Sequence, residues 1–433
     1  MARVRRPKGT ERGTRVLRPP ADRFPYVSPE GAPQSGSVTS TPAPVDPAER
    51  SAALAAVVRA EIEQTPDRAI PFARFMELAL YELRLGYYRQ LEDRPTDAGD
   101  FLTAPETHPI FGWTLARWIE RKWEQLGRPD PFDLVEYGAG SGTLALAVLD
   151  GFRRHGSEAI EAVRYGPVET NPNRLGTLRR RFEEAGLADR LAATDRPDAA
   201  DAVAGREGST TRPGNGGNPP VTGLVLANEF LDALPVHRVL MRGGRLRELL
   251  VSWRDRFVQV VAEPTTTALA ERLAADGVIL VEEQVAEISL GIGQWLDEVA
   301  AHLGRGFVMA IDYGHEAAEL YGPRHLAGTL LGYRGHRVVA DPFAGVGLGD
   351  LTAHVDFTAV ARLAGERGFS VPRLETQSEF LVEAGLEAEL RAFQADPSTT
   401  IEDYLRARSG IVRMLDPRHM GRFRVLTLER GRG

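Results

Sequence analysis

Phe132-Asp133-Leu134-Val135-Glu136-Tyr137-Gly138-Ala139-Gly140-Ser141-Gly142 is the stretch on which the fold turns. Phe132 to Glu136 is a short apolar run, the length of a buried strand and too brief for a helix. It breaks into three glycines at alternate positions, and Thr143 to Arg154 then resumes with apolar residues at helical spacing. Strand, glycine turn and helix in that order open a βαβ unit. Glycines here permit positive φ and let the main chain approach a ligand with no Cβ in the way.

On either side of this stretch the pattern repeats. Tyr165 to Glu169 is a strand, followed by a helix from about Arg174 to Ala185. Gly223 to Ala227 is a buried strand that ends in Asn228-Glu229-Phe230. Gly291 to Leu303 is helical, and Gly306 to Ile311 is a strand ending at Asp312-Tyr313-Gly314. Alternating strands and helices predict an α/β fold, a Rossmann-like and mainly parallel sheet with helices on both faces. Ligands of such sheets sit beyond the carboxyl ends of the strands. Four ends therefore matter: 136–142, Glu169, 228–232 and 312–314. Each acid there has a purely structural reading as well.

The remainder divides by composition. Residues 1–50, rich in Pro, Gly, Ser and Thr, predict a disordered tail, and its Arg-rich first half is broken by Pro and Gly. Residues 51–130 predict an N-terminal helical cap, with helices at 52–62, 71–81 and 110–126 and a loop containing Gly99-Asp100-Phe101. The core spans 131–315, interrupted by a low-complexity insertion at 195–220 and a β-rich insertion at 236–290 whose strands are 236–241, 246–253 and 257–261. Residues 316–433 complete the sheet on the substrate side.

Composition excludes several classes. The chain has no cysteine, so disulfides, thiolate zinc sites, iron–sulfur clusters and a cysteine nucleophile are excluded. Net charge is -7, which gives no global cationic field for nucleic acid. No apolar run approaches the roughly 18 residues of a membrane helix, and no secretory signal is evident. A cytoplasmic location is the expectation.

The glycine turn narrows the ligand. A dinucleotide fingerprint needs a third glycine where Thr143 stands, and a P-loop needs a lysine that is absent here. The spacing fits the E-x-G-x-G-x-G turn of class I methyltransferases, with Glu136 opening it and Gly138, Gly140 and Gly142 following. Their cofactor, S-adenosyl-L-methionine, brings no phosphate. Glu169 can then accept two hydrogen bonds from ribose hydroxyls.

Further segments, in order, are Gly99-Asp100-Phe101 with Thr103-Ala104-Pro105-Glu106, Asn228-Glu229-Phe230-Leu231-Asp232-Ala233-Leu234-Pro235-Val236, Ile311-Asp312-Tyr313-Gly314, Gly335-His336 and Asp350 to Phe357. Together these resemble the MidA family of S-adenosylmethionine-dependent methyltransferases over about residues 72–428. Its mitochondrial members assist respiratory complex I assembly by dimethylating an arginine of one subunit. The resemblance implies that Gly138, Gly140 and Gly142 face the cofactor, Glu169 its ribose, and Gly99, Asp100 and Phe101 a flap over it, with Asn228 to Asp232 between cofactor and acceptor. Glu229 is the first candidate to orient an acceptor guanidinium, then Asp232 and Asp312, and His336 or His354 the proton relay. A small-molecule acceptor, or a cofactor-binding assembly factor without turnover, are the alternatives. The sequence leaves the acceptor and the oligomeric state open.

Overall fold

Five strands of one six-stranded sheet run parallel: β1 (Phe132–Tyr137), β2 (Val163–Val168), β3 (Val221–Asn228), β4 (Leu303–Asp312) and β5 (Ser370–Thr376). The sixth, β6 (Arg424–Arg430), is antiparallel between β4 and β5, giving the order β5-β6-β4-β3-β1-β2. The computed structural model describes residues 46–90, 103–192, 220–335 and 337–431. The predicted tail up to residue 45, Gly99, Asp100, Phe101, all of the 195–220 insertion but Pro220, and His336 lie outside these.

Both faces of the sheet are covered, and the side-chain alternation of a strand shows how. Leu134, Leu224, Leu226, Phe307, Met309 and Ile311 enter one core, together with helices 110–125, 143–155 and 172–184. Their neighbours Val135, Val225, Ala227, Val308 and Ala310 enter the other, with helices 72–81, 291–302 and 357–366. Strands buried on two sides need apolar residues at nearly every position, which is why GLVLA and GFVMAI read as unbroken runs. The helices of 110–125 and 143–155 approach very closely. A Cβ on Gly112 would come within 2.4 Å of the Ala147 Cβ, and one on Gly151 within 2.6 Å of the Ala116 Cβ.

The β-rich insertion forms an antiparallel sheet of Arg245–Trp253, His237–Arg242, Val285–Ile288 and Phe257–Ala262. It recruits a strand from the region predicted to be helical, Ala69–Pro71, which pairs with Leu250–Ser252. Three residues are too few to show an alternation. Helix 110–125, expected in the cap, lies in a layer of the central sheet. Apolar spacing shows that a helix has a buried face, not what covers it.

Strand order reverses around β1: from it the chain moves to β2 on one side and then to β3 on the other. The crevice at that switch point is where open α/β sheets bind ligands, and the glycine turn emerges there.

Candidate functional site

The turn after β1 is fixed from below and open above. Gly138 N–H (2.9 Å) and Ala139 N–H (3.3 Å) donate to the Val168 carbonyl at the end of β2. Gly138, Gly140 and Gly142 take φ of +71°, +54° and +78°. Gly142 packs against helix 172–184, since a Cβ there would meet Leu178 Cγ at 2.9 Å. At Gly140, among the described residues and its own chain neighbours aside, no atom lies within 4 Å of where a Cβ would stand, so they leave room there for a ligand. Arg181 reaches across from helix 172–184 and donates to the Ser141 carbonyl (2.9 Å), Ser141 Oγ (3.0 Å) and Thr143 Oγ1 (2.9 Å).

Glu169 sits at the end of β2 beside this turn. Its Oε2 accepts from Gly140 N–H at 2.9 Å and its Oε1 from Asn171 N–H at 2.8 Å. The carboxylate therefore already braces the turn, with lone pairs left for hydroxyl donors. Asn171 is fully buried, caps helix 172–184 through Asn173 N–H (2.9 Å) and Arg174 N–H (3.3 Å), and donates to the Tyr88 carbonyl at 2.8 Å. Glu136 points elsewhere. It is buried beneath the turn with the Tyr165 hydroxyl donating to its Oε2 at 2.6 Å, and burial raises its pKa to about 8. Its Oε2 is committed to Tyr165, and Glu169 is the neighbouring acid that acts on it.

On the other side of β1, the end of β3 supplies Asn228 and Glu229. Glu229 has a φ of +50°, a conformation that a side-chain-bearing residue holds only under constraint. Its N–H donates to the Ile311 carbonyl at 2.8 Å, and its Oε1 accepts from Ala104 N–H and Asn228 Nδ2, each at 3.3 Å. Ala104 opens the short helix Ala104–Thr107 that follows the predicted flap. Asn228 Oδ1 is buried with no hydrogen-bond partner, an acceptor that the cofactor crevice leaves to be met. Phe230 lies against the glycine turn, 3.4 Å from where a Gly138 Cβ would stand, and packs beside Tyr137. The three strand ends thus share one rim.

Asp312, at the end of β4, is fully buried. Its Oδ2 accepts from the N–H groups of Phe230 (3.1 Å), Leu231 (2.9 Å) and Asp232 (3.2 Å), and its Oδ1 from Tyr313 N–H (2.9 Å). Asp232 lies next to it, within reach of Asp350 and the Tyr313 hydroxyl. Burial first, and the neighbouring Asp232 next, push Glu229 up to about 8. Burial, then Asp312 and Asp350, push Asp232 well above the usual range. The rim collects acids that hold their protons far above the usual carboxylate range.

A family model described as S-adenosyl-L-methionine-dependent methyltransferase matches residues 114–374. The chain belongs to that family. A crystal structure from Burkholderia thailandensis solved with S-adenosyl-homocysteine bound shares 31% identity at a TM-score of 0.76, covering 90% of this chain and 95% of the other. A protein of Drosophila melanogaster named protein arginine methyltransferase NDUFAF7 homolog, mitochondrial, is 28% identical over 98% of this chain and 92% of its own length. The human protein of that name is 26% identical over 83% and 80%. The resemblance drawn from sequence stands, and so do the class I fold and S-adenosyl-L-methionine as cofactor. The expected cytoplasmic location is corrected, because these relatives are named mitochondrial. No helix among the described residues is long and apolar enough to cross a membrane.

In this methyltransferase the structure redistributes the predicted roles. Asp312 faces inward, with its oxygens taken by four backbone N–H groups, so it shapes the 230–232 loop and is not presented to a substrate. His354, offered as a proton relay, lies behind Tyr313, and burial brings its pKa down to about 3. Gly99, Asp100, Phe101 and His336 fall outside the described residues. The structure also adds groups that sequence reading passed over. Tyr88 donates its hydroxyl to both oxygens of Asp350 (2.9 and 2.8 Å), and Tyr81, stacked on Tyr88 at 5.4 Å, donates to the Ala233 carbonyl at 3.0 Å. Arg89 is bonded to the Thr170 carbonyl, so residues 81–90 bridge the acidic rim and the Glu169 corner. Aromatics in a terminal segment carry no spacing signal. Only their docking at the crevice reveals them.

Proposed function

We propose that the acceptor of this methyltransferase is a protein side chain, an arginine guanidinium, bound at the rim formed by Glu229, Asp232 and Asp350. One observation carries the reading: Glu229 and Asp232 are desolvated carboxylates whose largest charge neighbours are other acids. Such a cluster asks for a cation, and a planar guanidinium pairs with carboxylates bidentately. The relatives named arginine methyltransferases support the same acceptor.

The residues at the glycine turn fit S-adenosylmethionine: free space at Gly140, a carboxylate at Glu169 and the unmet Asn228 Oδ1. Bound there, the cofactor supplies a sulfonium-activated methyl group. The protein aligns the acceptor and excludes water. Glu229 orients the guanidinium and draws its charge away from the attacking nitrogen, and Asp232 and Asp350 anchor the same group from the far side. Tyr81 and Tyr88 wall off solvent. A proton leaves the methylated nitrogen, and Glu229, with a pKa near 8, is placed to accept it.

The test incubates the purified chain with methyl-labelled cofactor and protein extract, a respiratory-complex subunit being the first candidate that the family resemblance implies. Expected is label on protein arginine, abolished in Glu229→Gln while calorimetric cofactor binding persists. Label found only in small metabolites, or undiminished turnover in Glu229→Gln, would refute the acceptor assignment.

A further inference from the structure

Three histidines that the methyl-transfer reading does not use meet behind Tyr313. His315 ends the short strand Gly314–His315, His325 closes the turn Pro323–His325, and His354 lies between the strands Asp350–Thr352 and Val355–Asp356. Their ring centroids are 5.2 Å (315 to 325), 5.3 Å (315 to 354) and 5.7 Å (325 to 354) apart. One ring nitrogen from each lies within 4.8 Å of the other two. Each residue is partly buried.

The outer hydrogen bonds orient the rings. His325 Nδ1 stands 3.2 and 3.1 Å from the carbonyls of Glu319 and Leu320, which accept its proton and leave Nε2 with the lone pair. His315 Nδ1 stands 3.1 Å from Glu319 Oε2, within ion-pair distance but without hydrogen-bond geometry. A carbonyl behind a histidine, as at His325, is the arrangement that fixes tautomer and raises basicity at metal centres. His354 Nδ1 and His315 Nδ1 are both buried without a hydrogen-bond partner, orphaned polar atoms that need an explanation. Glu319 also lies 3.7 Å from Arg424 and 3.9 Å from Arg324, which share its charge, so it serves behind His315 while the three imidazoles form the ligand set.

We propose that His315, His325 and His354 form a zinc site, with solvent in the fourth position. Three neutral imidazoles suit zinc, whose bonds to nitrogen of about 2.0–2.1 Å place tetrahedral ligands roughly 3.4 Å apart. The nitrogens, within 4.8 Å of one another, close by up to about 1.4 Å on binding, a movement that a turn and two short strands can make. Loaded, the site ties residues 313–315, 323–325 and 353–355 into one unit. It would hold the Tyr313 ring, edge-on to His354 at 5.0 Å and bonded through its hydroxyl to Thr352, against Asp232. The role is that of a clamp on the acceptor side, independent of which acceptor is used.

The test uses the untagged full chain, stripped of metal and titrated with zinc chloride by calorimetry, with elemental analysis after dialysis. Expected is one zinc per chain, a rise in melting temperature on loading, and a visible absorption band when cobalt(II) is substituted. His325→Gln and His354→Gln should each weaken zinc binding at least about tenfold. Their metal-free melting temperatures and cofactor affinity should match the metal-free parent, which shows that they fold. Less than one zinc per chain in the parent, or uptake unchanged in the double variant, overturns the site.

Discussion

Glu229 holds a left-handed backbone at the end of a strand, where almost any other choice would be less strained. A strained residue at a strand end, with its carboxyl pushed up to about 8, titrates near neutral pH, where a carboxylate ordinarily does not. The sign follows from the role. If the ionised carboxylate grips the guanidinium, kcat/KM rises with pH up to about 8 and then levels, and in Glu229→Gln that rise disappears. A pH–rate profile on a peptide acceptor checks this. Gly140 offers a separate handle. Its φ of +54° makes alanine cost roughly 1–2 kcal/mol, yet among the described residues no atom opposes the added methyl. Gly140→Ala should therefore lose only a little stability while cofactor affinity falls more than about tenfold by calorimetry. Equal affinity in that variant would show that the ligand does not pass beside Gly140.

Helices 110–125 and 143–155 meet through Gly112, Ala116, Ala147 and Gly151, small residues that bring the two backbones together. This contact seats the helix whose first turn follows Gly142, so it positions the cofactor turn from a distance. Gly112→Val and Gly151→Val should each destabilise by about 3 kcal/mol through overpacking. The double variant should lose less than the sum, because one helix shift relieves both clashes. Urea unfolding measures both. Elements such as these are readable in part from sequence. The unbroken apolar runs of β1, β3 and β4 announce strands covered on two faces, and the glycine turn announces what stands between β1 and its helix. Ala69–Pro71 is not readable, because a strand of three residues borrows its identity from the partner it pairs with.

Across the whole molecule, the buried acids make stability depend on pH in a definite direction. Glu136 and Glu229 carry pKa values of about 8 in the fold against about 4.5 when unfolded. The folded state therefore holds protons that the unfolded state has released between those values, and stability falls as pH rises through that window. Below about 4.5 this contribution is fully present, and above about 8 it is lost. His108 and His354, lowered by burial from 6.5 to about 4 and about 3, act the other way below about 6.5. The melting temperature of the cofactor-free protein should therefore drop between about pH 6.5 and about pH 8, and Glu136→Gln should reduce the drop, since glutamine can still accept from Tyr165. Saturating S-adenosylmethionine should offset part of it, because a sulfonium cation favours ionised neighbours. A melting temperature that climbs over this range would contradict the burial of these groups.

The sheet, its glycine turn and the class of cofactor are written in neighbouring residues: apolar runs set by two-sided burial, and glycines set by positive φ. Which acids face the crevice is settled only when the chain is folded. Asp312 turns inward to four N–H groups, Glu136 goes beneath the turn to Tyr165, and Tyr81, Tyr88 and Asp350 arrive from segments far apart in the chain. A carboxylate at a strand end looks the same in sequence whether it meets a backbone donor or a ligand. Its partner is chosen by packing between distant elements, and no local pattern records that choice.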